Sequence, residues 1–187
     1  LINLSILTAL TDATDSFSFG VVVGGAGTLG GKPLLVRAVG PSLGALGVGG
    51  TLEDPKLEFF TGAAKVGEND NWGGVASTSA VMASVGAFAF TAPNSRDAAI
   101  SLPSLASGAN SAKISGTGAG TVIAELYDAT PAGQFLATTP RLINVSVLKG
   151  LGDGVTAGFV IGGSTARTVL IRAIGPTLAG FGVGGTV

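Results

Sequence analysis

Residues 34–52 read LLVRAVGPSLGALGVGGTL and residues 169–187 read VLIRAIGPTLAGFGVGGTV, so that 11 of 19 positions are identical without a gap. The start of the chain, LINLS at residues 1–5, returns as LINVS at residues 142–146. Sequence that recurs at a long, regular spacing indicates a tandem array of structural units. The offset between the copies shortens from 141 to 138 to 135 residues, as two small loop deletions between shared strands would cause.

The repeat predicts how the chain is divided into units. Residues 1–141 form one complete unit, with a repeated block at 1–52 and a middle portion at 53–140 that occurs once. Residues 142–187 are the opening block of a second unit. Because a part-unit has strands whose partners are not all encoded beside it, the sequence predicts a building block that assembles with others of its kind.

Short apolar segments bounded by Gly, Pro, Asn or Asp recur along the chain, which is typical of β-strands. In the repeated block and its copy, strands are predicted at 2–7, 17–23, 34–39, 143–148, 157–161 and 168–174. In the middle portion, strands are predicted at 56–60, 98–102, 112–116 and 121–127, with a short helix at 77–85. Strands at this spacing predict an all-β fold, an antiparallel β-sandwich or jelly-roll-like unit with at most one short helix.

Composition excludes several kinds of site. The chain has no Cys and no His, which removes disulfides, thiolate or imidazole metal ligands and every Ser-His or Cys-His nucleophile. Net charge is −1 with no basic run, so no nucleic-acid partner is expected. No apolar run reaches the ~18 residues of a membrane-spanning helix, so no membrane insertion is expected. With only carboxylates, Lys and one Tyr left for catalysis, we expect a protein that is not an enzyme.

The balance of charge and hydrophobicity favours self-association. Charged residues are 11% of the chain, compared with about 25% in ordinary domains. The mean hydropathy is +0.59, and 32 residues are Gly. A chain with near-zero net charge and little surface charge tends to associate. Together with the part-unit, this composition predicts assembly.

Residues 25–30, GAGTLG, match the G-x-G-x-x-G fingerprint of dinucleotide-binding loops. That fingerprint requires a helix to begin at the loop, so that its N-terminus meets the pyrophosphate. Here Gly-Lys-Pro and a new strand follow, and the second copy at 162–167 reads GGSTAR. We therefore interpret residues 25–30 as a hairpin loop.

Glu68, Asn69, Asp70 and Asn71 form the densest cluster of oxygen ligands in the chain, and Asp54 is a candidate neighbour. Calcium takes roughly six to eight oxygen ligands and binds readily to Asp/Asn turns. The spacing is not that of an EF-hand, and Asn and Asp also form tight turns by bonding their own backbone. Two interpretations stay open, a calcium site and a plain turn; the sequence suggests no other cofactor.

Arg37 and Arg172 occupy equivalent places within apolar strands, ahead of Gly-Pro in each copy. A ligand-binding arginine is one interpretation. The other is structural: a buried arginine must be paired, so each would bond loop carbonyls or a carboxylate such as Asp54.

The first strand of each copy is the predicted assembly contact. Both strands alternate apolar and polar residues, as half-buried strands do. The residues assigned to this contact are Ile2, Leu4, Ile6, Ile143, Val145 and Val147.

Six motifs in a fixed order resemble a known kind of secreted bacterial repeat. They are RAVGPSL at 37–43, DPKLEFF at 54–60, NDNWGG at 69–74, GAFAF at 86–90, SRDAAISL at 95–102 and VIAELYDA at 122–129. Such β-repeats stand in tandem in large exported surface proteins. The middle portion also resembles bacterial pre-peptidase C-terminal β-sandwich domains. These resemblances imply an all-β extracellular accessory or structural module, and they carry over no catalytic residue.

These observations predict a structural subunit of an extracellular filament or surface array, secreted or held at the cell surface. Its expected partner is itself, in a head-to-tail homopolymer joined by β-strand pairing between subunits. The alternative is an adhesin or carbohydrate-binding module, or a passive spacer, of a larger secreted protein. A glycan partner has little support, because the chain offers one Trp and one Tyr for sugar stacking.

Overall fold

The computed structural model describes residues 1–152 and 154–187, and they form a β-sandwich of two five-stranded antiparallel sheets. The predicted all-β antiparallel sandwich with one short helix is confirmed. The strands of the described residues are β1 (Asn3–Leu10), β2 (Phe17–Gly24), β3 (Lys32–Val39), β4 (Pro55–Thr61), β5 (Ala64–Asn69), β6 (Ala98–Leu105), β7 (Gly108–Gly116), β8 (Gly120–Asp128), β9 (Arg141–Leu148) and β10 (Val155–Val160).

The chain passes back and forth between the two sheets. The first sheet has the strand order β10-β1-β8-β3-β6, and the second has the order β5-β4-β7-β2-β9. Consecutive strands lie in different sheets at every step except β4 to β5, which form a hairpin. Each sheet is therefore built from strands that are distant in sequence, and β9 and β10 lie at the outer edges.

The main core lies between the sheets and follows the alternation of the strands. Strand β1 buries Leu4 and Ile6 there, and β2 buries Phe17, Phe19 and Val21. Apolar side chains from both sheets fill the same layer, and burying each one stabilises the fold by about 1.5–3 kcal/mol. This layer accounts for the buried residues at alternate positions of β1 and β2.

A second, smaller core covers the outer face of β3. The helix α1 (Ala76–Ser84) contributes Met82, which packs with Leu35, Trp72 and Phe90. Strand β3 is thus buried on both faces, which explains its continuous apolar sequence. Within the part of the chain that the structure describes, no helix is long and apolar enough to cross a bilayer.

The glycine-rich segments after each Gly-Pro are short 3₁₀ helices, at Pro41–Leu46 and Pro176–Phe181. Both end at a glycine in the left-handed region, Gly47 with φ 85° and Gly182 with φ 80°. A glycine at that position has no steric penalty, so each copy encodes its own turn.

Three local predictions were wrong. Strand β5 was missed, because its end had been interpreted as part of a turn; it is an exposed edge strand. The strand predicted at 168–174 does not form, since these residues have no strand pairing. Residues 25–30 are not a hairpin loop, because β2 and β3 lie in different sheets and the loop crosses between them.

Candidate assembly interface

Two strands of the second copy extend both sheets of the first unit. Strand β9 is the copy of β1, and it pairs with β2 at the edge of the second sheet. Strand β10 is the copy of β2, and it pairs with β1 at the edge of the first sheet. The repeated blocks thus exchange partners: the first strand of one copy pairs with the second strand of the other.

The registers of these two pairings are the same. Asn3 pairs with Val160, and Val22 pairs with Asn144. At offsets of 141 and 138 residues, Asn144 is the equivalent of Asn3 and Val160 is the equivalent of Val22. The match continues along both strands, from Leu4–Phe159 and Val21–Val145 to Leu7–Thr156 and Ser18–Leu148. The two copies are therefore related by a pseudo-two-fold arrangement of strands.

A close glycine–serine approach occurs in both pairings. A Cβ built on Gly20 would lie 2.8 Å from the Oγ of Ser146, and one built on Gly158 would lie 3.1 Å from the Oγ of Ser5. The two glycines are repeat equivalents, and so are the two serines. The sequence therefore keeps a small residue at the point where each strand faces a serine of the other copy.

Apolar burial holds the second copy against the first unit. Leu142 is buried in the main core, and Val145, Val147 and Val155 pack against it. The hydroxyl of Thr8 donates a hydrogen bond of 2.9 Å to the carbonyl of Gly154. These contacts join β9, β10 and the loop between them to the first unit.

One ion pair connects the loops of the two copies. The ammonium of Lys149 donates to the carboxylate of Asp15, and both residues are partly buried. Burial raises the pKa of Asp15, but the Lys149 and Thr11 hydrogen bonds outweigh it, so the pKa lies below its usual value. The pair therefore favours the ionised carboxylate.

The six predicted assembly residues fall into two groups. In β1, Leu4 and Ile6 face the main core and Ile2 lies at the strand's start; both edges of β1 are paired, with β8 and β10. In β9, Val145 and Val147 pack against the core, and Ile143 is exposed. Strand β9 pairs on one edge only among the described residues.

The remainder of the second copy is exposed. Leu170 and Ile171 have 82% and 76% of their surface accessible, whereas their equivalents Leu35 and Val36 have 0%. Yet the local geometry is retained. A Cβ on Gly40 would overlap the carbonyl of Leu52, and the corresponding overlap in the second copy is between Gly175 and Val187.

In the first copy, the outer face of β3 carries a buried charge pair. The Nε of Arg37 lies 3.1 Å from Oε2 of Glu125, and its guanidinium donates a 2.7 Å hydrogen bond to the carbonyl of Phe88. The same guanidinium stacks at 4.4 Å on the rings of Phe88 and Phe90. The predicted bond to a loop carbonyl is confirmed; the carboxylate partner suggested, Asp54, was wrong, since Asp54 lies near Arg96.

Burial governs the electrostatics of this pair. It lowers the pKa of Arg37 and raises the pKa of Glu125, and in each case the partner's charge opposes the shift. The hydroxyl of Tyr127 donates to Glu125 over 2.9 Å, and burial beside that carboxylate raises the pKa of Tyr127. Neither Arg37 Nε nor Glu125 Oε2 has an aligned hydrogen bond within the described residues. The pair is coupled by charge and is sensitive to the loss of either member.

A second buried carboxylate organises the Gly-Pro turn. Asp97 accepts hydrogen bonds from the backbone N–H of Gly40, at 2.8 Å, and of Ser42, at 3.2 Å. The hydroxyls of Ser42 and Ser95 also donate to it. The sequence did not predict this role, because 57 residues separate Asp97 from Gly40 and no local pattern links them. Arg37 and the Gly-Pro turn thus both depend on carboxylates from the middle portion.

The proposed calcium ligands form part of the scaffold. The amide oxygen of Asn69 accepts from the N–H of Ala99 over 2.9 Å, and its nitrogen donates to the carbonyl of Asn71 over 2.9 Å. Glu68 pairs with Lys65. No group of three or more acidic residues able to hold a metal occurs among residues 1–152 and 154–187. The calcium site that includes Asp70 stays a prediction.

Aromatic side chains are used internally. The indole of Trp72 packs edge-on against Phe90, with ring centroids 5.3 Å apart, and its Nε1 donates to the carbonyl of Ala92 over 3.1 Å. The hydroxyl of Tyr127 donates its hydrogen bond to Glu125. The loop at 25–30 is followed by strand β3 rather than a helix, so the geometry of a dinucleotide-binding loop is not formed.

Comparison with known proteins gives no assignment: no family model, curated protein or solved structure matches this chain. The sheet edges are the feature of the structure that bears on function. At these edges, two strands of the second copy, β9 and β10, pair with β2 and β1 of the first unit.

Proposed function

We propose that this protein is a structural subunit of an extracellular filament or surface array, and that its units assemble by β-strand pairing. One observation carries the proposal: β9 and β10, which belong to the second copy, extend both sheets of the first unit. Strand addition of this kind supplies backbone hydrogen bonds along the whole edge, and alternate side chains fix the register.

The edges that remain support further pairing. The outer edges of β9 and β10 are unpaired among the described residues, and both strands carry apolar side chains. A sheet edge with few charges is a template for another strand. Leu170, Ile171 and Phe181 of the second copy add exposed apolar surface. Covering that surface is the driving force for assembly.

An extracellular setting is part of the proposal. It is supported by the resemblance of the motifs to secreted tandem repeats of surface proteins. No observation favours the adhesin alternative, since Trp72 and Tyr127 bond within the protein. A spacer in a longer repeat polypeptide would use the same contact between units.

Light scattering over a concentration series, followed by electron microscopy, tests the proposal. We expect the purified chain to form multimers that grow with concentration. The double variant L170K/I171K places charge on the exposed part of the second copy and should shift the distribution towards monomer. The matched control is V75K, because Val75 is 49% exposed and directly precedes α1, which lies over β3 and β6 at the opposite side of the first sheet from β10; it should assemble like the wild type.

A chain that stays monomeric at every concentration would contradict the proposal. Equal assembly by wild type and L170K/I171K would show that association does not involve the second copy. Either result would direct attention to the adhesin alternative, for which binding to immobilised glycans is the measurement.

A further inference from the structure

We infer that the contact between units is reciprocal, and that the outer edges of β9 and β10 receive the remaining strands of a complete second unit. The occupants are the strands equivalent to β8, which would pair with β9, and to β7, which would pair with β10. This inference rests on the proposed function and specifies its contact. It commits to one partner, a second unit of the same sequence type.

The pairing inside the first unit identifies the occupants. Strand β1 has β8 as its neighbour on the side away from the second copy, and β2 has β7. Strands β9 and β10 are copies of β1 and β2, and each has its corresponding edge uncovered within the described residues. A second unit that folds like the first would therefore place its own β8 and β7 equivalents there. Each sheet would then run through eight strands, four from each unit.

The matching registers define the symmetry of the contact. The pair Asn3–Val160 and the pair Val22–Asn144 are the same contact with the two copies exchanged. An interface in which each unit offers the same surface to the other is isologous, and it closes at two units. A head-to-tail contact would have joined the copies in different registers.

Buried charge in the first copy indicates what the partner must provide. Arg37 has Glu125 of β8, and the Gly40–Ser42 turn has Asp97 beside β6. The second copy has the equivalent groups: Arg172 corresponds to Arg37, and the backbone N–H groups of the turn at 175–177 correspond to those of Gly40 and Ser42. None of the described residues forms an ion pair with Arg172. In a second unit, the strand equivalent to β8 would carry the carboxylate for Arg172, and the residue just before the strand equivalent to β6 would carry the carboxylate for the turn.

The exposed apolar residues of the second copy also indicate that strands of a second unit would cover them. In the first copy, Leu34, Leu35 and Val36 are fully buried between β8 and β6. Their equivalents Val169, Leu170 and Ile171 are exposed, because the strands that would flank them come from the middle portion of a unit. The segment 168–174 thus matches β3 in sequence and needs two neighbours to become a strand.

The inference changes how an array would grow. Because the exchange closes at two units, a pair of units is the building block. Longer assemblies would then be extended by tandem linkage of pairs or by a different surface. The β5 and β6 edges, at the far ends of the sheets, are the surfaces left for that purpose.

The test is a chain of residues 1–187 followed by a second copy of residues 53–140. Val187 is the equivalent of Leu52, so the graft restores the order of the first unit. Hydrogen exchange is measured at residues 169–174 in the natural and extended chains. We expect the amides there to exchange at least tenfold more slowly in the extended chain, while exchange in β9 and β10 is unchanged or slower.

Introduced cysteines test the pairing itself, because the natural chain has none. Leu7 lies opposite Ile123 in the first unit, so Leu148 should lie opposite the grafted copy of Ile123. Oxidation should join cysteines at these two positions. The control places the second cysteine at the grafted copy of Val122, which points to the other face of the sheet and should not react.

Unchanged exchange at 169–174 would overturn the inference. A second version, with a flexible linker of about ten residues at the junction, removes strain at the joint as a cause. If the extended chain protects 169–174 but neither chain assembles at any concentration, the reciprocal contact stands and the proposed function fails. If both assemble and 169–174 stays unprotected, the proposed function stands and the inference fails.

Discussion

The two copies of the repeated block have nearly the same sequence in different surroundings. In the first copy, three segments become strands, β1, β2 and β3. In the second, the first two become β9 and β10, whereas the third, at 168–174, forms no strand. The 3₁₀ helix that follows is the same in both. Turns are therefore encoded locally, whereas strands need partners from elsewhere in the chain.

Pairing geometry explains why the third segment differs. Strand β3 pairs with β8 and β6, and both come from the middle portion. Strands β1 and β2 exchange partners with the other copy, so their copies find an edge in the first unit. A strand whose neighbours are missing leaves its backbone groups to water and its apolar side chains exposed.

The largest expected effect is at the arginine that the two copies share, Arg37 and Arg172. Arg37→Met leaves the Glu125 carboxylate buried without its cation, so the free energy of unfolding should fall by about 3–5 kcal/mol. Arg172→Met is the matched control in the exposed copy and should change it by less than about 0.5 kcal/mol. Urea unfolding monitored by Trp72 fluorescence measures both. Similar losses for the two variants would contradict this account.

The next effect concerns the glycine of each Gly-Pro pair. A Cβ at Gly40 would overlap the Leu52 carbonyl inside a packed region, so Gly40→Ala should lower the free energy of unfolding by about 1–3 kcal/mol. Gly175→Ala meets the Val187 carbonyl in an exposed segment that can shift, and should have an effect below about 0.5 kcal/mol. Thermal melting of both variants makes the comparison. A larger effect at Gly175 would be the contrary result.

A smaller effect is expected at the two glycine–serine contacts, and it tests whether the two strand pairings are equivalent. Gly20→Ala and Gly158→Ala should each destabilise the protein by about 1 kcal/mol, because the new methyl group meets a serine hydroxyl of the other copy. Removing that hydroxyl should restore stability, with Ser146→Ala rescuing the first variant and Ser5→Ala the second. Double-mutant cycles in urea measure the coupling. Coupling in only one of the two pairs would argue against equivalent contacts.

The smallest expected effect is the pH dependence of the stability that the Lys149–Asp15 ion pair contributes. The folded-state pKa of Asp15 lies below its unfolded value of about 3.9, so its stabilisation is present above that pH and is lost as the pH falls through the folded pKa. Asp15→Asn should therefore be less stable than wild type by up to about 1 kcal/mol at neutral pH. The difference should narrow in acid, as measured by unfolding from pH 7 to about pH 3. Lys149→Met should behave alike; a difference that is constant with pH would contradict this role.

Much of the fold followed from the sequence. The alternation of Leu4 and Ile6 with polar residues predicted a half-buried strand, and the short apolar segments bounded by turn residues predicted an all-β fold. These features depend on a residue and its close neighbours. The short helix after the Asn-Asp segment was predicted for the same reason, from its Ala-rich composition without Gly or Pro.

The other features depend on contacts between residues far apart in the chain, which the pattern of one sequence does not reveal. Glu125 and Asp97 were not assigned to Arg37 and the Gly40 turn, because 88 and 57 residues separate the members. The failure of 168–174 to form a strand had the same origin: its own sequence is as strand-like as that of β3. Predicting that β1 pairs with β10 and β2 with β9 would have required the order of strands in the sheets, which local sequence patterns do not contain.

Disulfide formation at two equivalent positions tests the central claim, that the copies exchange strands reciprocally. The double variants G20C/S146C and S5C/G158C place cysteines at the same contact with the copies exchanged, in a chain that has no other cysteine. We predict that both form an intramolecular disulfide on mild oxidation, whereas the one-residue shift G20C/V147C does not. Free thiols in either variant, or equal reaction of the shifted pair, would contradict the account.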